Sequence, residues 1–272
     1  MSARFGSGQV VCVQAPAKLN LGLRVLGTLP NGYHGIETVF QTISWHDLLF
    51  ACKANQTSIE VDGELDVSTE QNLVCRALGE LELAVGRTLS TRFHLVKRVP
   101  VGAGLGGGSS DAAAALRLLE WLYGPGLPIA AVARRIGADV SFFLRGGRML
   151  GTGIGDQLQP LAPRTETFVV SWPDVACSTS RVYALYHSTD GAVDGNDLVL
   201  AARRHQPQLA EFVLCLERVS GAFVDCRWRM TGTGSAHFCG PLEWHVANRL
   251  AVALVRSGLR SIPVTTIAGW GR

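Results

Sequence analysis

Residues 100–116 read PVGAGLGGGSSDAAAAL. Gly102, Gly104 and Gly107 satisfy the G-x-G-x-x-G pattern of dinucleotide-binding loops, but Ser109, Ser110 and Asp111 intervene before the alanines begin. A strand ending near Val99, a flexible loop and a helix starting at Ser109 or Ser110 aim a row of free backbone N–H groups at the loop. Such a helix start attracts anions: its amides are unpaired, the macrodipole is positive there, and glycine lets a phosphate come close. The serines and Asp111 suit a helix cap, and the two hydroxyls equally suit phosphate oxygens or a Mg2+ ion. A Walker A loop is excluded, since no Gly-Lys-Ser/Thr follows. A Rossmann loop needs an acidic residue about 20 positions on. Here Glu120 lies 13 beyond Gly107, inside the predicted helix.

Upstream, QVVCVQ at 9–14 and LNLGLRVL at 19–26 have the branched composition of strands, separated by a break at Pro16, and Asn31-Gly32 marks a turn. Further strands are predicted over 36–43, 47–52, 57–61 and 91–97. Helices are predicted over 71–86, 109–123 and 128–136, the last opened by Pro128 and stopped near Gly137. Strands return at 141–150 and 167–172. This mixture reads as α+β, not as regular βαβ alternation. Pro160 and Pro163 suit a boundary, giving an N-terminal domain over 1–160 and a C-terminal domain over 161–272.

The 272-residue chain is 47% hydrophobic, enough for a sizeable core. Its formal net charge of +3, with no basic run interleaved with aromatics, argues against a nucleic-acid partner and suits a small anionic ligand. Seven scattered cysteines without a C-x-x-C pair read as reduced thiols in a cytoplasmic enzyme. The amino terminus reads as lacking a signal segment, and no run of 18 apolar residues occurs, so no membrane association is expected.

Three segments complete the pattern: PAKLNL at 16–21, followed by Gly32-Tyr33-His34; the glycine loop; and TGTGSA at 231–236. Together they resemble the GHMP kinase superfamily, whose Pro-x-x-x-Gly-Leu-Gly-Ser-Ser-Ala loop wraps the phosphates of ATP. NGYH at 31–34, GLGGGSSDAA at 104–113, GADVSFF at 137–143 and NDL at 196–198 narrow the resemblance to its 4-diphosphocytidyl-2-C-methyl-D-erythritol kinase branch. The resemblance implies a two-lobed α+β fold: an ATP-binding N-terminal lobe like ribosomal protein S5 domain 2, a substrate-side ferredoxin-like C-terminal lobe, and the reaction in the cleft. It implies phosphorylation by ATP of the 2-hydroxyl of 4-diphosphocytidyl-2-C-methyl-D-erythritol, a step toward isoprenoid precursors by the non-mevalonate route.

By the same resemblance, Asp139 is the catalytic base and Lys18 sits beside it, lowering the cost of the developing alkoxide. From position alone, Asp139 reads as a turn residue and Lys18 as a surface strand residue. Asn20 shares a strand face with Lys18 and would hold a substrate hydroxyl. Tyr33 and His34 would bind cytosine, with Tyr183 as the second face of an aromatic sandwich; each is otherwise a half-buried packing aromatic. Pro100, Gly102, Gly104, Leu105, Gly106, Gly107, Gly108, Ser109 and Ser110 would hold ATP. Asn72 and Lys97 would neighbour the nucleotide, although Asn72 also suits an N-cap and Lys97 a solvated strand charge. Gly232 and Gly234 would approach substrate phosphates or form a tight turn.

No metal ligand is assigned, because the glutamate that other members of the superfamily use has no equivalent; Mg2+ is inferred from the chemistry of ATP alone. His237 after GTGSA and SWPDVACST at 171–179 depart from the branch's pattern. The expected partner is a small cytidine diphosphate-linked substrate, with neither nucleic acid nor membrane, and the expected assembly is a monomer or weak homodimer. Three alternatives stand beside this reading. Another GHMP kinase, acting on homoserine or a sugar, is disfavoured by NGYH and Tyr183; an NAD-dependent oxidoreductase by the missing acid; an RNA-binding module by the weak charge.

Overall fold

The computed structural model describes residues 9–30, 32–63, 72–221, 223 and 227–269. Of the positions singled out in the sequence, Asn31, Gln71 and Cys226 lie outside them. The described residues form two compact units, one drawn from Met1–Ala17, Trp45–Pro100 and Gly106–Gly146, the other from Lys18–Ser44, Val101–Leu105 and Gly147–Arg272. The two long strands β1 (Val11–Thr28) and β2 (His34–Lys53) each contribute to both units.

Strand β1 runs through Pro16 without the expected break. It pairs with β2 at the side of the sheet path, and a proline is tolerated in such an edge strand, where a missing N–H costs no ladder bond.

In the first unit β2 pairs antiparallel over Leu48–Lys53 with β4 (Thr91–Val96), and β3 (Ser58–Asp62) pairs parallel with β4. A parallel pair needs a crossover, and helix α1 (Leu73–Val85) lies in it. Asn72 caps α1, accepting from Val74 N at 2.9 Å, and Gly86 closes it in the left-handed conformation at φ 66. Helices α2 (Gly107–Tyr123) and α3 (Ile129–Ile136) pack with α1 and with each other, and α4 (Ala138–Arg145) packs against α2 and α3. Ala112 to Ala115 are fully buried, so the alanine run lets this one turn of α2 be surrounded on every side.

Two expectations change here. Helix α2 starts at Gly107, not at Ser109 or Ser110, which places the serines inside its first turn. The apolar run after Asp139 is helical, not a strand: Gly137 and Gly146 bound α4, which buries Val140, Phe142 and Phe143. A five-residue apolar run carries no period that separates a buried strand from a buried helix.

In the second unit β2 pairs antiparallel with β5 (Arg148–Thr152), and β5 with β6 (Gln157–Pro160). A separate antiparallel sheet has the order β10-β7-β9-β8, with β7 (Thr167–Trp172), β8 (Arg229–Met230), β9 (His237–Cys239) and β10 (Arg260–Thr265). Helices α5 (Thr179–Ala184), α6 (Val199–His205) and α7 (Gln208–Ser220) lie between β7 and β8, and α8 (Trp244–Arg256) between β9 and β10. Phe212 and Leu216 of α7 and Ala247, Leu250 and Leu254 of α8 bury one face against Val169 and Cys239 of the sheet. Each such large side chain contributes about 1.5–3 kcal/mol. Cys239 is disulfide-bonded, contrary to the expectation of reduced thiols throughout, while Cys12, Cys52, Cys75, Cys177 and Cys215 are free. Among the described residues no helix is long and apolar enough to cross a membrane.

Candidate active site

The second unit gathers Lys18, Asn20, Gly104 and the 231–236 loop. Alternation along β1 puts Lys18 and Asn20 on one face, and both are buried. Lys18 Nζ donates to Asn20 Oδ1 and lies 5.7 Å from the centre of the Phe40 ring. Lys18 N donates to the Leu105 carbonyl at 3.0 Å, and Asn20 N donates to Thr231 Oγ1 at 3.0 Å. Gly232, at φ 56, closes over this pair: a Cβ there would stand 3.1 Å from Asn20 Oδ1 and 3.2 Å from Lys18 Nζ. The 231–236 loop is held from behind by Asn196, whose Nδ2 donates to the carbonyls of Met230 and Gly232 at 3.0 and 2.9 Å. That explains the NDL motif, whose asparagine is an anchor for a neighbouring loop. Gly232 and Gly234 are buried, so their first task is to shape it.

His34 and Tyr183 also meet in this unit, with ring centroids 5.2 Å apart and planes at 24°, and Tyr186 meets His34 edge-on at 5.8 Å. The first two rings are in stacking contact and admit no base between them. They form one aromatic wall, and Tyr33, 63% exposed, stands in the preceding position. Tyr186 and Thr38 carried no sequence signal of their own.

The first unit holds α2, whose leading amides precede the first intrahelical bond, Ser110 N to the Gly106 carbonyl at 2.9 Å. No side chain caps this end, which leaves its leading N–H groups as donors of the kind that bind an anion. Gly106 and Gly108 leave the backbone open, and Ser109 is half-buried. The other glycines answer to packing. Gly102 and Gly104 have φ of 66 and 73, and a Cβ on them would strike Ala176 and the Thr231 carbonyl respectively. Ser110 is fully buried with its hydroxyl unpartnered. Leu105 is buried and Pro100 half-buried.

Asp139 occupies the first turn of α4, half-buried, where a carboxylate complements the macrodipole. Lys97 is not a solvated charge. Its side chain is 3% exposed, and Nζ donates to Asp47 Oδ2 at 2.5 Å and to Asp111 Oδ2 at 2.9 Å. Burial opposes the Lys97 charge, but the two carboxylates prevail and raise its pKa. Neither aspartate was singled out as a site residue. Among the described residues no three His, Cys, Asp or Glu side chains cluster as a metal site.

Residues 72–147 match the GHMP kinases N terminal domain family. The chain is similar to the 4-diphosphocytidyl-2-C-methyl-D-erythritol kinase of Ralstonia nicotianae (strain ATCC BAA-1114 / GMI1000), with 38% identity over 244 residues, 82% of this chain and 83% of that one. It is also similar to the kinase of the same name from Aromatoleum aromaticum (strain DSM 19018 / LMG 30748 / EbN1), with 33% identity over 275 residues, 94% and 95% of the two chains. A crystal structure of 4-(cytidine 5'-diphospho)-2C-methyl-D-erythritol kinase superposes with a TM-score of 0.80 at 33% identity, covering 96% of this chain and 100% of that one. Homoserine kinase from Cytophaga hutchinsonii shares the fold alone, at a TM-score of 0.66 and 15% identity over 97% and 96% of the chains. The expected kinase fold is therefore present, and neither a homoserine kinase nor an oxidoreductase is favoured. With this identity over most of its length, the chain belongs to the 4-diphosphocytidyl-2-C-methyl-D-erythritol kinases of the GHMP kinase family.

Proposed function

We propose that the protein transfers the γ-phosphoryl group of ATP to the 2-hydroxyl of 4-diphosphocytidyl-2-C-methyl-D-erythritol, within non-mevalonate isoprenoid precursor synthesis. The observation that carries this reading is the buried Lys18–Asn20 pair enclosed by Gly232, found in a chain that belongs to a kinase family. A buried ammonium beside the reacting oxygen lowers the cost of the negative charge that develops there. Asp139 takes the proton of the attacking hydroxyl, and Asn20 holds that hydroxyl through the second proton of its amide.

The open amides of Gly106, Gly107 and Gly108, with Ser109 and Ser110, hold the ATP phosphates. Pro100, Gly102, Gly104 and Leu105 shape the loop that precedes them, and Asn72 and Lys97 belong to the unit that carries α2. Mg2+ accompanies ATP and supplies neutralisation of phosphate charge; we assign it no protein ligand set beyond the unpartnered Ser110 hydroxyl, a hard oxygen donor that fits it. Tyr33 and the His34–Tyr183 wall take the cytosine, and Gly232 and Gly234 the substrate-side phosphates.

The lobes follow the branch's pattern. Strand order β10-β7-β9-β8, with helices in the first and third connections, supports a ferredoxin-like βαββαβ lobe beyond residue 160. The preceding part is read as the S5-like, ATP-binding domain. We place the enzyme in the cytoplasm as a monomer or weak homodimer, acting on a small molecule and not on nucleic acid or membrane.

An ADP-release assay with the cytidylyl substrate, run beside homoserine and mevalonate, tests the reading. Activity is expected with the cytidylyl compound alone, and Asp139→Asn should lower kcat by about 10²- to 10⁴-fold. Activity confined to another acceptor overturns the substrate, and an unimpaired Asp139→Asn overturns the base.

A further inference from the structure

Two buried carboxylates share one buried ammonium beside the glycine loop, and the proposed phosphoryl transfer uses none of the three directly. Side-chain exposures are 0% for Asp47, 3% for Lys97 and 4% for Asp111. Both Asp47 oxygens are engaged: Oδ2 accepts from Lys97, and Oδ1 accepts from the backbone N–H of Arg98 at 2.5 Å and of Val99 at 2.8 Å. Asp111 accepts from Lys97 through Oδ2, while its Oδ1 is buried without a partner. Burial, opposed by Lys97 and reinforced by Asp47, pushes the Asp111 carboxyl above the ordinary carboxylate range.

Such a cluster is a poor way to gain stability, since desolvating three ionisable groups costs more than apolar packing of the same volume. What it joins gives it a purpose. Lys97 to Val99 lead into Pro100 and the loop, and Asp111 lies in α2, the helix that leaves the loop. Lys97 Nζ passes close beneath Gly107, the first residue of that helix: a Cβ there would stand 3.2 Å from Nζ and 3.1 Å from Val99 Cγ1.

Resting on the assignment of this loop to ATP, we propose that Asp47, Lys97 and Asp111 form a clamp fixing the strand end that enters the loop against the helix that leaves it, so that Lys97 acts on the nucleotide by positioning and not by contact. The clamp explains why position 107 is glycine: any side chain would displace the ammonium or Val99.

The test is calorimetric titration of the full chain with ADP. Lys97→Met, Asp47→Asn and Asp111→Asn should each weaken binding by about tenfold, and Lys97→Met/Asp111→Asn by no more than the worse single change, because residues of one device are not additive. A loss confined to Lys97 variants, or losses that multiply, overturns the clamp and makes Lys97 a direct ligand. Should single variants fail to fold, the neutral Lys97→Met/Asp47→Asn/Asp111→Asn chain leaves no uncompensated buried charge. It should melt at or above the wild-type temperature yet bind ADP about tenfold more weakly; wild-type affinity in that folded variant overturns positioning. A wild-type chain that binds no ADP overturns the nucleotide assignment itself, a result distinct from failure of the clamp.

Discussion

Asn20 Nδ2 donates to Thr38 Oγ1 at 2.8 Å, and that hydroxyl donates onward to the Gly22 carbonyl at 2.5 Å. A hydroxyl has one proton to give. Having given it to Gly22, Thr38 must accept from Asn20, which turns the amide so that Oδ1 faces Lys18 Nζ. Thr38 thus chooses the orientation in which the asparagine steadies the ammonium. Thr38→Val keeps the shape and removes the acceptor, so kcat should fall by about tenfold or more, the worth of a hydrogen bond in a charged network. Thr38→Ser should recover most of it. A Thr38→Val enzyme with wild-type kcat would remove Thr38 from the relay.

Gly104 and Gly86 separate two reasons for a glycine. Both lie at positive φ, 73 and 66, but a Cβ on Gly86 meets nothing within 4 Å, whereas one on Gly104 runs into the Thr231 carbonyl. Gly86→Ala should cost about 1 kcal/mol, the backbone term alone. Gly104→Ala adds overpacking and should cost about 2–4 kcal/mol. Chemical denaturation compares them; equal losses would mean that the loop yields around residue 104 at no cost.

The fold was legible where local chemistry is decisive. Asn72, Pro128 and Gly137 bound helices where a cap, an opening and a stop were expected, and β7 occupies residues 167–172 as predicted. Misreadings arose where tertiary placement decides. Pro16 ends a strand only if its N–H is needed, and an edge strand does not need it. The run after Asp139 is equally apolar as strand or helix. The site divides in the same way. Lys18 and Asn20 are reached only through the family resemblance of PAKLNL, since by position alone Lys18 reads as a surface residue and it is in fact buried; Thr38, Asp47 and Asp111 are common residues whose role lies in what they meet across the fold. Lys97 was visible as a lysine, but its burial between two aspartates has no signature in the chain's order.

Tyr33 is 63% exposed beside the His34–Tyr183 wall. Stacking of a base on an aromatic ring is worth about 1–3 kcal/mol, so Tyr33→Ala should weaken binding of the cytidylyl substrate by about 5- to 150-fold. ADP affinity should stay within twofold or so of wild type, since the substitution leaves the phosphate loop intact. Equal losses for both ligands would place Tyr33 outside the cytosine site.

His237 makes a pH prediction whose sign follows from burial. The ring is 3% exposed, Nδ1 donates to the Ser235 carbonyl at 3.0 Å, and Phe212 meets it at 5.9 Å. Burial pushes its pKa from 6.5 down to about 4; the Ser235 bond opposes this and the Arg203 charge adds to it. Because the folded value is depressed, the unfolded chain takes up the proton first. The stability tied to the neutral ring is complete above about pH 6.5 and is lost as the pH falls through that value toward 4. Over that window the gap converts to about 3 kcal/mol. Urea unfolding at pH 7.5 and pH 4 should therefore show wild type losing about 3 kcal/mol more than His237→Gln, which keeps a donor for Ser235 but does not titrate. Parallel losses in the two proteins would mean that acid sensitivity arises elsewhere, and a larger loss in His237→Gln would reverse the sign.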